Sequence, residues 1–207
     1  GYALHVTSPQ GDERVEAREV VMAVPGPLVA TLAPWLPEWK LRAIEDIPTA
    51  QSIVLAVVLE TDESSAWDQV YFVPSVGTAF NGLVQGRVGP AFRPHPAGKT
   101  TIYAYASRAA VEPSFAEPDG VVEARWMEDF YSVFPSARGK VAGTYLQKWP
   151  ECFAYIRSDR AEPLALVQRP VDGMHFAGDY ASASAGSHGA FGSGDRVARD
   201  VGAAVRV

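Results

Sequence analysis

The segment from His175 to Arg199 constrains the fold of this chain more than any other. It begins with a short apolar run ending in Gly178-Asp179, continues through a loop made almost entirely of Ala, Ser and Gly, and enters a helical pattern near Gly189. A strand, loop and helix in this order, with only small side chains at the junction, let the backbone approach a flat ligand closely. The helix start would stabilise an electron-rich edge of that ligand. Asp179 is placed to accept hydrogen bonds from sugar-like hydroxyl groups.

The composition is that of a globular protein that does not bind nucleic acid. Of the 207 residues, 47% are hydrophobic and 20% are charged, which permits a sizeable core in one domain or in two small interlocked ones. The net charge is −6 and Lys and Arg form no basic stripe, so no nucleic-acid partner is expected. The longest apolar run, Ile53 to Leu59, is far shorter than the roughly 20 residues that cross a bilayer, so no transmembrane segment is predicted.

The cysteine content and the start of the chain indicate its setting. Cys152 has no second cysteine to pair with, and the sequence contains neither a charged-then-apolar leader nor a Cys/His cluster with zinc spacing. A cytoplasmic location and no metal site are therefore expected. The chain opens at Gly1 in the middle of what the pattern predicts as a strand, with no initiator Met, so we expect it to be part of a longer polypeptide.

Strand and helix patterns predict a mixed α/β (α+β) fold. The predicted strands are 2–7, 13–24, 52–60, 70–73, 100–107, 141–149 and 173–178. The predicted helical segments are 28–32, 40–44, 119–134 and 189–205. The strands between 52 and 107 are rich in β-branched and aromatic residues and are expected to form one mixed sheet. The stretch from Arg157 to Arg160 is expected to be a solvated charged loop.

Three motifs resemble the superfamily of FAD-dependent amine oxidases and protoporphyrinogen oxidases. The stretch His175 to Arg199 resembles its C-terminal flavin-binding segment, in which FAGD precedes a loop and a helix that begins with GA. Val20-Val-Met-Ala-Val-Pro25 resembles the strand that ends a flavin-domain sheet of these enzymes, and Lys148-Trp149-Pro150 resembles the KW that precedes the return to the flavin domain. The three motifs occur in the family's order over nearly the whole chain.

This resemblance implies a partial FAD-binding domain of the glutathione-reductase-like type, formed by residues 1–46 and 141–207. A mixed-sheet substrate-binding domain, residues 47–140, is interlocked with it. FAD is the implied cofactor. Because no G-x-G-x-x-G follows any predicted strand, the chain is expected to supply only half of the flavin site. The implied partner is a polypeptide that carries this Gly-rich motif, in the same parent chain or as a separate subunit. The stretch Ala50 to Val54 lacks the Lys that amine oxidases usually carry, so the resemblance is greater to the protoporphyrinogen oxidases.

The resemblance and the local chemistry together predict the site residues. The predicted cofactor contacts are Pro25, Trp149, Gly178, Asp179, Tyr180, Gly186, Ser187, His188, Gly189 and Ala190. Phe153 and Tyr155 are predicted to contact the substrate, and His188 is the candidate catalytic base. Structural interpretations stay open beside these. Gly178-Asp179 is also typical of an Asp-capped turn, His188 of an exposed residue near a helix start, and Trp149 of a core aromatic residue.

Two hypotheses about function follow. The first is the C-terminal portion of an FAD-dependent oxidoreductase. It would oxidise a C–N or C–C bond of a small hydrophobic or amine substrate by hydride transfer to flavin, and oxygen would reoxidise the cofactor. The second is a non-catalytic binding or accessory subunit that retained the substrate-domain sheet. A companion polypeptide with the Gly-rich motif would distinguish them.

Overall fold

The chain forms two compact units in the computed structural model, which describes residues 1–60, 67, 71–86 and 98–204. The first unit contains residues 1–50 and 151–207, and the second contains residues 51–150. The boundaries predicted from the sequence, 46/47 and 140/141, lie close to the starts of two long strands. The divisions in the structure fall inside those strands, because each strand continues from one unit into the other.

The first unit combines an antiparallel hairpin, a parallel strand pair and helices. Its strands are β1 (Tyr2–Ser8), β2 (Gly11–Ala17), β3 (Val20–Met22) and β9 (Met174–Phe176). Its helices are α1 (Gly26–Leu32), α2 (Glu38–Glu45), α5 (Ala161–Gln168) and α6 (Gly186–Ala204). The single strand predicted over 13–24 is two strands, because β2 pairs with β1 whereas β3 pairs in parallel with β9. The core lies between this parallel pair and the helices and contains Met22, Val29, Ile44, Val167, Phe176 and Tyr180.

The second unit is a five-stranded sheet covered by one long helix. The order of its strands is β5 (Phe72–Pro74), β6 (Gly82–Gln85), β7 (Lys99–Ser107), β4 (Thr49–Glu60) and β8 (Val141–Ala154). The pairs β5–β6, β6–β7 and β4–β7 are antiparallel, although the sequence predicts a mixed sheet. Helix α3 (Glu112–Phe115) is a short turn, and α4 (Asp119–Val133) is the helix predicted over 119–134.

Hydrophobic periodicity explains the packing of the second unit. Alternate residues of β4, from Ile53 to Leu59, are fully buried, which is the period of a strand with one face on the core. Val122, Trp126 and Phe130 are spaced four apart on α4 and are also fully buried. The prediction of a mixed α/β fold is confirmed. Val70, the first residue of the strand predicted over 70–73, lies outside the described residues.

Strand β6 was not predicted, because Asn81-Gly82 and Gly86 indicate turns in the sequence. In the structure Gly82 belongs to the sheet and pairs with Tyr105. A Cβ at Gly82 would lie 2.8 Å from Cε2 of Phe72, so glycine here makes room for an aromatic ring of the neighbouring strand.

Lys40 of α2 is a buried cation that caps another helix. It has no exposed surface, and its Nζ donates to the carbonyl oxygens of Leu166 at 2.7 Å, Val167 at 3.0 Å and Arg169. These carbonyls belong to the C-terminal end of α5, where a cation compensates the negative end of the helix dipole. The ammonium also lies 4.1 Å from the centre of the Phe176 ring in β9. Lys40 therefore fixes α5 against the strand that leads to the site described below.

The protonation of Lys40 makes stability depend on pH. Burial, and then the charges of Arg169 and Arg196, lower the pKa of Lys40 from 10.5 to about 8. Between these values the unfolded chain binds more protons than the folded protein, so the stability of the native protein rises with pH. From pH 8 to pH 10, the free energy of unfolding should rise by about 2 kcal/mol relative to a Lys40→Met variant. Urea denaturation at a series of pH values measures this difference, and a difference that is constant with pH would contradict the assignment.

None of the helices in the described ranges combines the length and apolar character that crossing a bilayer requires.

Candidate functional site

The parallel pair β3–β9 ends in a tight turn that leads to α6. We call residues 177–186 the site turn. The amide of Ala177 donates to the carbonyl of Met22 at 3.1 Å, which extends the pairing by one residue. Gly178 follows with a φ of +128°, and a Cβ there would lie 2.9 Å from the Tyr180 ring. Only glycine satisfies both the backbone angle and the close ring. The sequence therefore needs glycine here for the turn itself.

Ser193 of α6 joins the helix to Gly178. Its Oγ accepts from the amide of Gly178 at 2.8 Å and lies within donating distance of the Gly178 carbonyl, at 2.9 Å, and of the Ala190 carbonyl, at 2.8 Å. The residue is 3% exposed. A serine inside a helical pattern gives no sign of such a long-range contact, so sequence reasoning missed this residue.

Asp179 connects three segments of the first unit through one carboxylate oxygen. Its Oδ2 accepts from the amide of Ala154, at the end of β8, at 2.7 Å. The same oxygen accepts from the amide of Gly186, the first residue of α6, at 3.0 Å. A carboxylate at a helix start satisfies an amide that has no partner within the helix and complements the helix dipole. The capping interpretation of Gly178-Asp179, left open by the sequence, is therefore present in the structure.

Arg160 lies against the site turn, and the prediction of a solvated loop is wrong for this residue. It is 5% exposed and immediately precedes α5. One nitrogen, Nη2, donates to the carbonyls of Asp179 at 2.6 Å and Ser182 at 2.5 Å, and Nη1 donates to the Tyr155 carbonyl at 3.3 Å. Burial lowers the pKa of Arg160, and the charge of Asp179 opposes that shift. Arg157 is exposed as predicted.

Tyr180 points into the core and not towards the surface of the turn. It is 1% exposed, and its hydroxyl donates to the carbonyl of Met22 at 2.8 Å. Burial raises the pKa of its phenol. The side chain therefore packs in the core of the first unit. A contact between Tyr180 and the cofactor stays a prediction.

The first turn of α6 is partly open to solvent. Ser187 and His188 are exposed and Ala190 is partly buried. The amides of the first residues of a helix have no acceptor inside the helix, so those of Ser187 and His188 are available to a ligand. Gly186 has a φ of +71°, and a Cβ there would contact nothing within 4 Å.

Gly189 is covered by the protein itself. It is buried, and a Cβ at this position would lie 1.8 Å from the carbonyl oxygen of Ser184. The small residue therefore accommodates the backbone of the site turn. The contact of Gly189 with a cofactor stays a prediction.

The remaining predicted residues lie in different parts of the chain. Pro25 is exposed and immediately precedes α1. Phe153 and Tyr155 are partly buried on either side of Ala154, whose amide donates to Asp179. These three belong to the first unit. Trp149 is 48% exposed and belongs to the second unit.

Among the residues that the structure describes, no group of three or more His, Cys, Asp and Glu side chains could hold a metal ion.

Comparison with known families identifies the class of the protein. The sequence profile of the family described as Flavin containing amine oxidoreductase matches residues 1–202. The chain therefore belongs to this flavin-dependent family, and the match contains the parallel strand pair, the site turn and nearly all of α6. No curated protein sequence matches the chain.

Solved structures of the same fold are similar to nearly the whole chain. A candidate protoporphyrinogen oxidase from Exiguobacterium sp. 255-15 is 14% identical, with a TM-score of 0.66 over 96% of this chain and 44% of that one. Wild-type putrescine oxidase bound to putrescine is 21% identical, with a TM-score of 0.71 over 93% and 44%. Cyclohexylamine oxidase from Brevibacterium oxydans IH-35A is 18% identical, with a TM-score of 0.60 over 88% and 41%. These likenesses concern the fold, and the chain spans less than half the length of each of these proteins.

Two glycines of α6 should respond oppositely to alanine. Gly189→Ala forces the Ser184 backbone to move and should lower the free energy of unfolding by about 3 kcal/mol. Gly192→Ala places its methyl group where nothing lies within 4 Å and should stabilise the helix by about 0.5–1 kcal/mol. Urea denaturation followed by circular dichroism measures both. If both substitutions changed the free energy of unfolding in the same direction, the close packing of Gly189 against the Ser184 carbonyl would be contradicted.

Proposed function

We propose that this chain is part of an FAD-dependent oxidoreductase and that its first unit supplies one half of the FAD site. The observation that carries the proposal is the flavin-family match over residues 1–202, which includes a strand, turn and helix start assembled around Asp179. The proposed substrate is a small hydrophobic or amine compound. A bound FAD would supply two-electron oxidation of a C–N or C–C bond by accepting hydride, with oxygen taking up the electrons.

The site turn and the start of α6 have the features that an FAD half-site needs. The exposed amides of Ser187 and His188, together with the positive end of the helix dipole, would stabilise an electron-rich ring edge. Small side chains at Gly186, Ser187 and Ala190 leave the backbone accessible to a flat ring. The proposed cofactor contacts therefore are the backbone near Gly178 and the first turn of α6.

Other residues of the chain would act on the substrate. Phe153 and Tyr155 offer partly exposed rings beside Ala154, and these suit a hydrophobic substrate. The imidazole of His188 is exposed at the helix start and is the proposed proton acceptor. Pro25 and Trp149 stay proposed cofactor contacts.

The proposed partner is a polypeptide segment that carries the Gly-rich dinucleotide motif. Among the described residues, the sheet formed by β3 and β9 has two parallel strands, whereas parallel sheets are normally larger and covered on both faces. Beside it lies an apolar groove of about 500 Å³, lined by Tyr2, Leu4, Val21, Leu32, Trp35 and Met174 among others. Trp35 is 65% exposed and Val21 is 46% exposed. Further strands of the partner would extend the sheet and cover this groove.

The spectrum and mass of the purified protein test the proposal. We expect a two-banded flavin absorbance between about 350 and 500 nm, with a second polypeptide or a longer parent chain in the intact-mass data. Ser187→Trp, which adds bulk at the exposed helix start, should abolish the flavin bands, whereas Ser187→Ala should keep them.

Two outcomes would contradict the proposal. If the chain together with its companion segment stays colourless after addition of FAD, the result would favour the non-catalytic accessory subunit. Flavin bands that are unchanged in Ser187→Trp would show that FAD binds elsewhere.

A further inference from the structure

Helix α5 holds the main chain of the site turn with donors from both of its ends. Arg160, just before the helix, binds the carbonyls of Asp179 and Ser182. Gln168, its last residue, donates from Nε2 to the carbonyl of Ala181 at 3.1 Å. Carbonyls of three of the four residues from 179 to 182 are thus held by side chains of one helix or its cap.

The chemistry of Arg160 points to a geometric role. A guanidinium is a planar, rigid group that can bind several acceptors at fixed angles, which a lysine ammonium cannot reproduce. Its partners here are backbone carbonyls of Tyr155, Asp179 and Ser182. The Nε of Arg160 is buried, and no acceptor for it occurs among the described residues. Burying a cation that is not fully satisfied costs free energy, so packing alone would be served better by an apolar residue.

Asp179 is held both through its backbone carbonyl and through its side-chain carboxylate. The Asp179 carbonyl is held by Arg160, and its Oδ2 is held by the amides of Ala154 and Gly186. Loss of the first contact would let the Asp179 backbone rotate. The carboxylate would then leave Gly186, and the start of α6 would lose its cap.

We propose that Arg160 is a positioning residue that sets the site turn and, through Asp179, the start of α6 against which the cofactor binds. The second part of this inference rests on the proposed function. The residue acts on the turn backbone and has no direct part in the redox reaction.

Hydrogen exchange of single amides tests the inference in the chain without cofactor. In Arg160→Met, exchange at Gly186 and Ala154 should be about tenfold faster or more, because their acceptor is displaced. Arg160→Lys keeps the charge but lacks the planar guanidinium with its several donors. It should restore only part of the protection of these amides against exchange. Arg157→Met is the matched control, because Arg157 is exposed and pairs at the surface with Asp159 at 2.5 Å. It should change exchange at these amides by less than about twofold.

The pattern of exchange separates positioning from general stability. Faster exchange at Gly186 and Ala154, with unchanged exchange at Val20–Met22, would support the inference. An equal increase in β3, or unchanged exchange at Gly186, would overturn it. The flavin spectrum of the loaded protein tests the link to the cofactor. Locally faster exchange with unshifted flavin bands in Arg160→Met would leave the positioning role intact and would contradict only its link to the cofactor, whereas absence of flavin bands in the unsubstituted protein would contradict the proposed function.

Discussion

The arrangement of the first unit depends on the hydrogen bonds that the Asp179 carboxylate accepts from two backbone amides. A single oxygen accepts from the end of β8 and from the first amide of α6. These segments are distant in sequence, and Asp179 reaches both only because Gly178 adopts a φ that other residues rarely adopt. Because the acceptor is charged and its donors are backbone amides, the cap is stronger than a neutral one. The start of α6 is thus fixed before any ligand binds.

Two buried cations bind main-chain carbonyls near opposite ends of α5. Lys40 binds carbonyls at the C-terminal end of the helix, and Arg160 binds carbonyls of the site turn next to its N-terminal end. Both cations use backbone carbonyls as partners, so the charges are compensated by dipoles. Such an arrangement is rigid, because moving the helix would leave a cation buried without acceptors. Helix α5 therefore connects α2 to the site turn through hydrogen bonds at both of its ends.

Local periodicity was sufficient to predict the elements with a continuous pattern. The run of β-branched and apolar residues in β4 and the four-residue spacing of Trp126 and Phe130 on α4 predict elements within a few residues of those in the structure. Small residues and an Asp at the end of β9 also located the turn. Prediction failed where a distant residue decides the environment. The ring of Phe72 explains Gly82 in β6, and the carbonyl of Ser184 explains Gly189, but neither contact has a signal in the local sequence.

The same limit applies to the site residues. Arg160 lies in a charged stretch whose pattern indicates solvent, and only the fold brings it against Asp179 and Ser182. Tyr180 follows Gly-Asp, and nothing in the local sequence indicates that its hydroxyl reaches Met22 in the core. The resemblance to the flavin-dependent family rests on the order of three motifs along the chain, so it could be recognised without knowledge of these contacts.

The most direct test of the account is the exchange of the α6 amides when FAD is bound. The protein together with its companion segment would be loaded with FAD, its occupancy checked by absorbance, and single-residue hydrogen exchange compared with that of the unloaded form. We expect exchange to slow by about tenfold or more at Ser187 and His188, with no change at Gly143 of β8. A protein that holds FAD but shows unchanged exchange at both Ser187 and His188 would contradict the claim that this helix start is half of the cofactor site.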